Sequence, residues 1–144
     1  MAEKLYLYPV WIRIWHALNA ILILLLILSG ISMQYSTPEM EFIRFDIAVS
    51  IHNICGIVLT ANYVFFFVGN MVTPNGRYYK MSLKGLVKRL MTQFTYYTIG
   101  IFKHKPAPFP VTKERKFNPL QQFTYVIAMY ILVPLVFLTG WGLL

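Results

Sequence analysis

The chain has 144 residues, of which 58% are hydrophobic and 12% are charged. A soluble domain carries about twice that charged fraction and could not bury so much apolar surface, so the composition excludes a soluble globular protein. The formal net charge of +8 would suggest nucleic-acid binding in a soluble protein, but the basic residues here lie between long apolar runs and indicate membrane topology instead.

Three apolar segments are long enough to cross a membrane, which takes about 20 residues. They cover approximately residues 10–33, 47–72 and 123–144. Three segments predict helices, because a closed β-barrel needs many more strands. The first segment is too long for a signal-peptide core and lacks a small-residue cleavage site, so we expect it to remain in the membrane. The sequence therefore predicts an all-α integral membrane protein with a single membrane domain over residues 1–144.

The loop between the second and third spans, residues 73–118, carries ten of the thirteen Lys and Arg residues. Basic residues accumulate in cytoplasmic loops, so this loop is predicted to be cytoplasmic. The loop at 34–46 carries three acidic residues and one arginine, which places it on the opposite side. The N-terminus is then cytoplasmic and the C-terminus lies outside. Within the cytoplasmic loop, residues 81–102 combine apolar and basic side chains as an interfacial amphipathic helix does, and the proline-rich stretch 105–110 ends it.

Two of the three histidines, His16 and His52, lie within predicted spans. Ionisable side chains at that depth are costly and indicate a function, although a hydrogen bond to a neighbouring helix explains one isolated histidine equally well. On the predicted topology, His16 lies roughly 25 Å from the outer surface and His52 about 7 Å from it. The two imidazoles are therefore about 18 Å apart along the membrane normal, which is too far for them to share one metal ion or haem.

The available ligands favour haem iron over other metals at both histidines. Other metals prefer carboxylates or thiolates, and the predicted spans contain only the single Cys55, which also excludes an internal disulfide and an iron–sulfur cluster. A proton relay would normally add an intramembrane Asp or Glu, which these spans lack. The pattern predicts two sites stacked across the membrane, each of which needs a second ligand from elsewhere.

Two further residues fit a haem site. Arg13 precedes His16 by three residues on the same helix face, where its guanidinium can pair with a haem propionate; an arginine that anchors the helix end is at least as common. Gly56 lies one turn after His52, where the missing side chain lets a flat macrocycle approach, and close helix packing explains such a glycine equally well. His104, between two lysines of the loop, is interpreted as a solvated surface residue.

Three motifs occur in order along nearly the whole chain. Arg13-Ile14-Trp15-His16 opens a helix that ends in Leu28-Ser29-Gly30, His52-Asn53-Ile54-Cys55-Gly56 begins the second, and Lys116-Phe117-Asn118-Pro119-Leu120-Gln121 leads into a third that contains Leu138-Thr139-Gly140. Together they resemble the bacterial di-haem cytochrome b subunits of membrane-bound formate dehydrogenases, nickel–iron hydrogenases and thiosulfate reductases, which are prokaryotic cytochrome b561-like proteins.

The resemblance implies a four-helix bundle that binds two b haems, each held by two histidines. His16 would ligate the cytoplasmic-side haem and His52 the outer-side haem. The family's fourth helix, which supplies both remaining ligands, does not follow the third span here. From the depth difference between His16 and His52, those two ligands should lie about 12 residues or slightly more apart on it. Three explanations stay open: a fragment or truncated product, ligands from another subunit, and an anchor without haem. A parallel two-fold dimer that pairs each histidine with its own copy is a further arrangement.

By the same resemblance, we expect a multi-pass protein of the bacterial inner membrane that passes electrons between an outer-face redox partner and quinone. The chain would be an electron-transfer subunit rather than a stand-alone enzyme. Its partners would be the catalytic and iron–sulfur subunits of an oxidoreductase, or a cytochrome c, together with quinone and the lipid bilayer; no nucleic acid is expected. The alternative function is a haem-free membrane anchor or assembly subunit, and a transporter subunit ranks third.

The related cytochromes place quinone beside the cytoplasmic haem, which makes Asn118 and Gln121 candidate quinone-binding residues. An amide can hydrogen-bond a quinone carbonyl at the bilayer boundary. The alternative interpretation is that Asn118 caps the third helix, with Pro119 at its first position, and the two roles are compatible.

Overall fold

The computed structural model describes residues 6–143, which form helices joined by non-helical connections, the longest of them over residues 104–118. In chain order the helices are α1 (Val10–Tyr35), α2 (Phe45–Val72), α3 (Leu86–Thr95), α4 (Pro119–Ile127) and α5 (Val133–Trp141). A 3₁₀ helix (Pro74–Tyr79) follows α2, and a π turn (Tyr96–Gly100) with a short 3₁₀ turn (Ile101–Lys103) continues α3. A second π turn (Ala128–Leu132) joins α4 to α5. Between residues 6 and 143 there is no β-strand, so the predicted all-α fold is confirmed.

Three helical segments have the length and hydropathy of membrane spans. They are Val10–Tyr35, Phe45–Val72 and Pro119–Trp141, which confirms the number of predicted spans. The third begins four residues before the predicted start at residue 123. Its first turn is helical but contains polar residues, so the apolar pattern begins later than the helix does. The predicted end at residue 144 lies outside the described residues.

The described residues fall into two compact units. One unit comprises Tyr8–Gly69 together with residues 136–143, and the other comprises residues 6–7 and 70–135. The first contains α1, most of α2 and most of α5, and the second contains α3 and α4. The single membrane domain over residues 1–144 stays a prediction.

In the first unit, α1 and α2 meet along a seam in which buried residues repeat every seven positions. Trp15, Leu22 and Ser29 are the buried residues of this repeat on α1, and Ala48, Cys55 and Asn62 are those on α2. A seven-residue repeat keeps one stripe of each helix facing its partner, as in a coiled coil. Lipid tails are as apolar as leucine, so such a contact in a membrane depends on close packing and hydrogen bonds. The small side chains of Ser29 and Ala48 allow close packing, and the polar side chains of Ser29 and Asn62 can form hydrogen bonds.

Trp15 joins α1 to α2 in the half of this seam that the predicted topology assigns to the cytoplasmic side. Its indole stacks on Phe66 with ring centroids 4.4 Å apart, and its Nε1 donates to the backbone oxygen of Asn62 at 3.0 Å. Gly69 lies against Trp11, since a Cβ at position 69 would stand 2.8 Å from the Trp11 ring. At the other end, Ser32 Oγ bonds both backbone polar groups of Ile43, each at 3.0 Å, and so ties the α1–α2 connection to α1.

In the second unit, α3 begins later than the sequence predicts. The predicted amphipathic helix starts at residue 81, whereas α3 starts at Leu86 after Gly85, whose φ of 66° is left-handed. That conformation favours glycine and interrupts the helix, so residues 81–85 precede it. Arg89 donates to the carbonyls of Ser82 and Lys84 and holds this segment against the first turn.

Lys116 lies just before the third span and is almost fully buried, with 3% of its surface exposed. Its Nζ donates to Asn75 Oδ1 at 3.0 Å and lies 5.3 Å and 5.4 Å from the ring centroids of Tyr78 and Phe117. Asn75 Nδ2 donates in turn to Asn70 Oδ1 at 2.6 Å. Burial lowers the pKa of Lys116 to about 8, because the charged ammonium loses its hydration.

Candidate haem site

His52 lies on α2, two turns after the helix begins, and its imidazole is seated against α1. Its Nδ1 is 3.0 Å from Ser29 Oγ, and Ser29 is fully buried. Gly30 makes this approach close: a Cβ built at that position would lie 3.4 Å from His52 Cε1. The imidazole is therefore held through one ring nitrogen, and its Nε2 lies on the other side of the ring from that contact.

The same imidazole lines a cavity of about 410 Å³, within the range of about 300–1,000 Å³ typical of small-molecule sites. The lining is largely apolar, with Leu26, Met33, Leu59, Val136, Phe137 and Trp141 among its residues. Gly56 and Gly140 also line it, and a Cβ built on either glycine would have no other atom within 4 Å. Gly56 thus faces open space, so close helix packing does not explain it within the described part of the chain.

These features fit a haem. A flat macrocycle needs an apolar cavity with room beside the helix backbone, and its iron needs a protein ligand such as a histidine nitrogen. The cavity offers both, with the imidazole of His52 at its wall and two glycines in its lining. Trp141 Nε1 donates to Thr60 Oγ1 at 3.2 Å and so links α5 to α2 within the cavity lining.

His16 has a different environment, on the exposed face of α1 rather than on the seam. Its ring centroid lies 6.4 Å from that of its neighbour Trp15, which points into the seam. Arg13 is also exposed, and its Nε donates to the backbone oxygen of Tyr8 at 2.9 Å. That bond ties the guanidinium to the chain just before α1, as expected of an arginine that anchors the helix end. The propionate pairing of Arg13 stays a prediction.

The two spanning histidines are not brought together. His52 contacts Ser29, which lies thirteen residues beyond His16 along α1, or about 20 Å at 1.5 Å per residue. This distance agrees with the separation of about 18 Å expected from the sequence. His104 is exposed with a left-handed φ of 52°, in keeping with a surface residue. Among residues 6–143, no cluster of three or more His, Cys, Asp or Glu side chains could hold a metal ion by itself.

Asn118 caps α4, and the capping interpretation is confirmed. Its Oδ1 accepts from the backbone nitrogen of Gln121 at 2.9 Å, Gln121 Oε1 accepts from the backbone nitrogen of Asn118 at 3.1 Å, and Pro119 occupies the first turn. This reciprocal pair is a capping box. Asn118 Nδ2 also donates to the Tyr97 hydroxyl at 2.7 Å and so links α4 to the π turn after α3. The quinone role of Asn118 and Gln121 stays a prediction.

Ser29 contacts the candidate ligand His52, and the sequence pattern does not single this residue out. Leu28-Ser29-Gly30 contributes to a family motif, and the motif assigns no contact to these residues. The available signal is a serine and a glycine at the end of a wholly aliphatic run, since small residues in a spanning helix mark a close approach.

Comparison with known proteins agrees with this geometry. The family model described as prokaryotic cytochrome b561 matches residues 7–144. The chain therefore belongs to the prokaryotic cytochrome b561 family, a family of membrane cytochromes b for which haem b binding is implied. Among curated proteins it is 40% identical over 138 residues to "Putative cytochrome YdhU" of Escherichia coli (strain K12), an alignment that covers 96% of this chain and 52% of the relative. The chain thus spans about half the length of the curated relative it matches. No solved structure gives a significant match.

Proposed function

We propose that the chain carries electrons between a redox partner protein and membrane quinone through b haem held by His52 and His16. The main support is the environment of His52. Its imidazole lines an apolar cavity, and its Nδ1 is hydrogen-bonded to the buried Ser29. Metal-binding histidines are regularly oriented by a hydrogen bond to the nitrogen that does not bind the metal.

The residues of this chain would supply ligation, shape and a low dielectric. His52 would bind iron in the cavity, where Gly56 and Gly140 leave room for a flat ring. His16 would bind a second haem about 20 Å away, with Arg13 on the same face placed for a propionate. When bound, haem b supplies the one-electron redox chemistry that these side chains do not perform themselves. The second axial ligand of each haem would come from another polypeptide segment or a second copy of the chain.

We propose a quinone site at the start of the third span, with Tyr97 as a further donor beside Asn118 and Gln121. Each polar atom of the Asn118 side chain has a partner, Oδ1 in the cap and Nδ2 with Tyr97, and Nδ2 keeps a second hydrogen that can donate to a quinone. The Tyr97 hydroxyl accepts from Asn118, so its own proton is directed to a different acceptor. A quinone carbonyl is such an acceptor, and Tyr97 is 44% exposed. In this arrangement Asn118 orients Tyr97, and Tyr97 donates to quinone.

The distribution of basic residues supports the proposed orientation of the chain in the membrane. Ten of the thirteen basic residues lie in the 73–118 segment, which we assign to the cytoplasmic face of the bacterial inner membrane. The His52 site then lies near the periplasmic face, where catalytic and iron–sulfur subunits or a cytochrome c would exchange electrons with it. The His16 site and the Tyr97 region lie near the cytoplasmic face.

Haem titration of the purified chain in detergent tests the ligand assignment. We expect a Soret band that shifts on dithionite reduction, a lower haem content in both His52→Ala and His16→Ala, and an unchanged content in the control His104→Ala. If both haem sites form, each spanning-histidine variant should lose about one haem of two. A chain without a Soret band after haem supply would contradict the proposal and favour the haem-free anchor. Wild-type haem content in both variants would contradict the ligand assignment.

A further inference from the structure

Ser29 contacts His52, whose ring lines the cavity, and two carbonyls of its own helix. Its Oγ lies 2.7 Å from the backbone oxygen of Leu25, 3.2 Å from that of Leu26 and 3.0 Å from His52 Nδ1. A carbonyl oxygen can only accept a hydrogen bond, and a serine hydroxyl has one proton to donate. The short contact to Leu25 therefore uses the serine proton, as is common for a serine within a helix.

The arrangement determines which nitrogen of His52 carries the proton. Because the Ser29 proton is directed to Leu25, the Ser29 oxygen must accept from His52, and His52 Nδ1 must be protonated. In a neutral imidazole the other nitrogen, Nε2, then holds an unshared electron pair. Ser29 has none of its surface exposed, so water does not compete for these bonds. The hydrogen bonds thus select the tautomer in which Nε2 can bind a metal.

Gly30 forms the other part of the α1 surface that contacts the His52 ring. A Cβ at position 30 would lie 3.4 Å from His52 Cε1 and 3.8 Å from Nδ1. The missing side chain lets the ring reach the Ser29 hydroxyl without being displaced. Adjacent Ser29 and Gly30 therefore act on one ring, the first through a hydrogen bond and the second through close approach.

We propose that Ser29 is a positioning residue that fixes His52 as the Nδ1-protonated tautomer and presents Nε2 to the haem iron. The identity of the metal group rests on the proposed function, whereas the tautomer follows from the contacts of the chain itself. A histidine whose second nitrogen donates to an oxygen is a more basic ligand, which favours ferric over ferrous iron. Loss of the Ser29 hydroxyl is therefore expected to raise the reduction potential of the haem at His52.

The tautomer can be measured without haem. We would label histidine with ¹⁵N in the full chain in detergent micelles at mildly alkaline pH, and identify the His52 signals by their loss in His52→Gln. Long-range proton–nitrogen correlations then distinguish Nδ1–H from Nε2–H. We expect Nδ1–H in the wild type, its partial or complete replacement by Nε2–H in Ser29→Ala, and recovery in Ser29→Thr, which keeps a hydroxyl.

Ser32→Ala is the matched control. Ser32 is also a buried serine of α1, with 1% of its surface exposed, but it bonds Ile43 rather than a histidine. This variant should leave the His52 tautomer unchanged, and unshifted His16 and His104 signals would show that each variant remains folded. If Ser29→Ala fails to fold, the wild-type spectrum and Ser29→Thr still decide the question. Nε2–H in the wild type, or an unchanged tautomer in folded Ser29→Ala, would overturn the proposal.

Haem b titration separates this inference from the proposed function. We expect Ser29→Ala to weaken binding at the His52 site by roughly 10–100-fold and to raise the midpoint potential, while Ser32→Ala changes neither. A chain that binds no haem but shows Nδ1–H on His52 would contradict the proposed function and leave the role of Ser29 in setting the tautomer intact. Haem bound with equal affinity and potential in the wild type and Ser29→Ala would contradict the positioning role alone.

Discussion

The indole of Trp15 stacks on the ring of Phe66 at 4.4 Å with an interplanar angle of 27°, and this pair joins α1 to α2 next to His16. Phe66 is fully buried and Trp15 almost fully. His16 follows Trp15 directly, so the indole that enters the seam leaves the imidazole on the exposed face. The ring pair therefore fixes the rotation of α1, and with it the side on which His16 is presented.

We predict that Trp15→Ala and Phe66→Ala each destabilise the helix pair by about 1–3 kcal/mol. Burial of such rings in a soluble core is worth about 3–5 kcal/mol, and lipid replaces part of that contact in a membrane. Equilibrium unfolding in mixed micelles would measure the loss. Phe65→Ala is the control, because the Phe65 side chain is 54% exposed. The double variant should lose less than the sum of the two single losses, and strict additivity would contradict a direct coupling.

Gly56 allows packing and haem binding to be separated. We predict that Gly56→Leu leaves unfolding stability close to the wild-type value, because a Cβ at this position meets open space. The same variant should lower haem affinity, since the new side chain enters the cavity beside His52. Gly69→Leu is the contrasting variant and should lower stability, because its Cβ would press on Trp11. Strong destabilisation by Gly56→Leu would support a packing role instead.

Asn118 should show separable capping and quinone effects. Asn118→Ala removes the N-cap acceptor and is expected to cost about 1 kcal/mol, whereas Asn118→Asp keeps the acceptor and should recover most of it. Tyr97→Phe should slow quinone-dependent reoxidation of the haem without changing haem content. Stopped-flow absorbance after addition of a soluble quinone measures that rate. Unchanged kinetics in both Asn118→Ala and Tyr97→Phe, with a lower melting temperature in the former, would assign Asn118 to the cap alone.

The burial of Lys116 predicts a pH dependence of stability. Burial lowers its pKa from 10.5 to about 8 in the folded chain, so between these values the unfolded chain binds the proton and the folded chain does not. Stability should therefore rise as pH increases through this window, by at most about 2 kcal/mol once screening by solvent is included. Thermal unfolding of wild type and Lys116→Met across the window measures the difference. The variant should lose the rise, exposed Lys103→Met should keep it, and an equal rise in all three chains would contradict the assignment to Lys116.

The predicted topology can be tested with single cysteines. In a Cys55→Ala background, Lys84→Cys and Glu41→Cys place thiols at exposed positions of the two loops. We predict that a membrane-impermeant maleimide labels them from opposite sides of oriented membranes. Position 76 is unsuitable for this purpose, because a side chain there would collide with the carbonyl of Asn70. Labelling of both thiols from one side would contradict the orientation and the depths assigned to the two haem sites.

The spans could be predicted from sequence because hydropathy and length are local properties. His16 and His52 could be singled out for the same reason, since an imidazole within an apolar run is visible in the sequence alone. The bond between Ser29 and His52 joins residues 23 positions apart and depends on the register of two helices, which local patterns leave undetermined. The start of α3 depends on the left-handed φ angle of Gly85. The amphipathic pattern extends across this glycine, so periodicity alone predicted a start that was too early.

The seven-residue seam between α1 and α2 has a consequence for cofactor placement. A purely apolar stripe with a seven-residue repeat would pack almost as well after one helix shifted by two turns. Lipid tails are as apolar as leucine, so apolar contact alone does not favour one register. The hydrogen bond between Ser29 and His52 joins two particular side chains, and a shift of two turns would break it. We therefore expect the position of the His52 imidazole along α1 to be set by its bond to Ser29 rather than by the apolar surface of the seam.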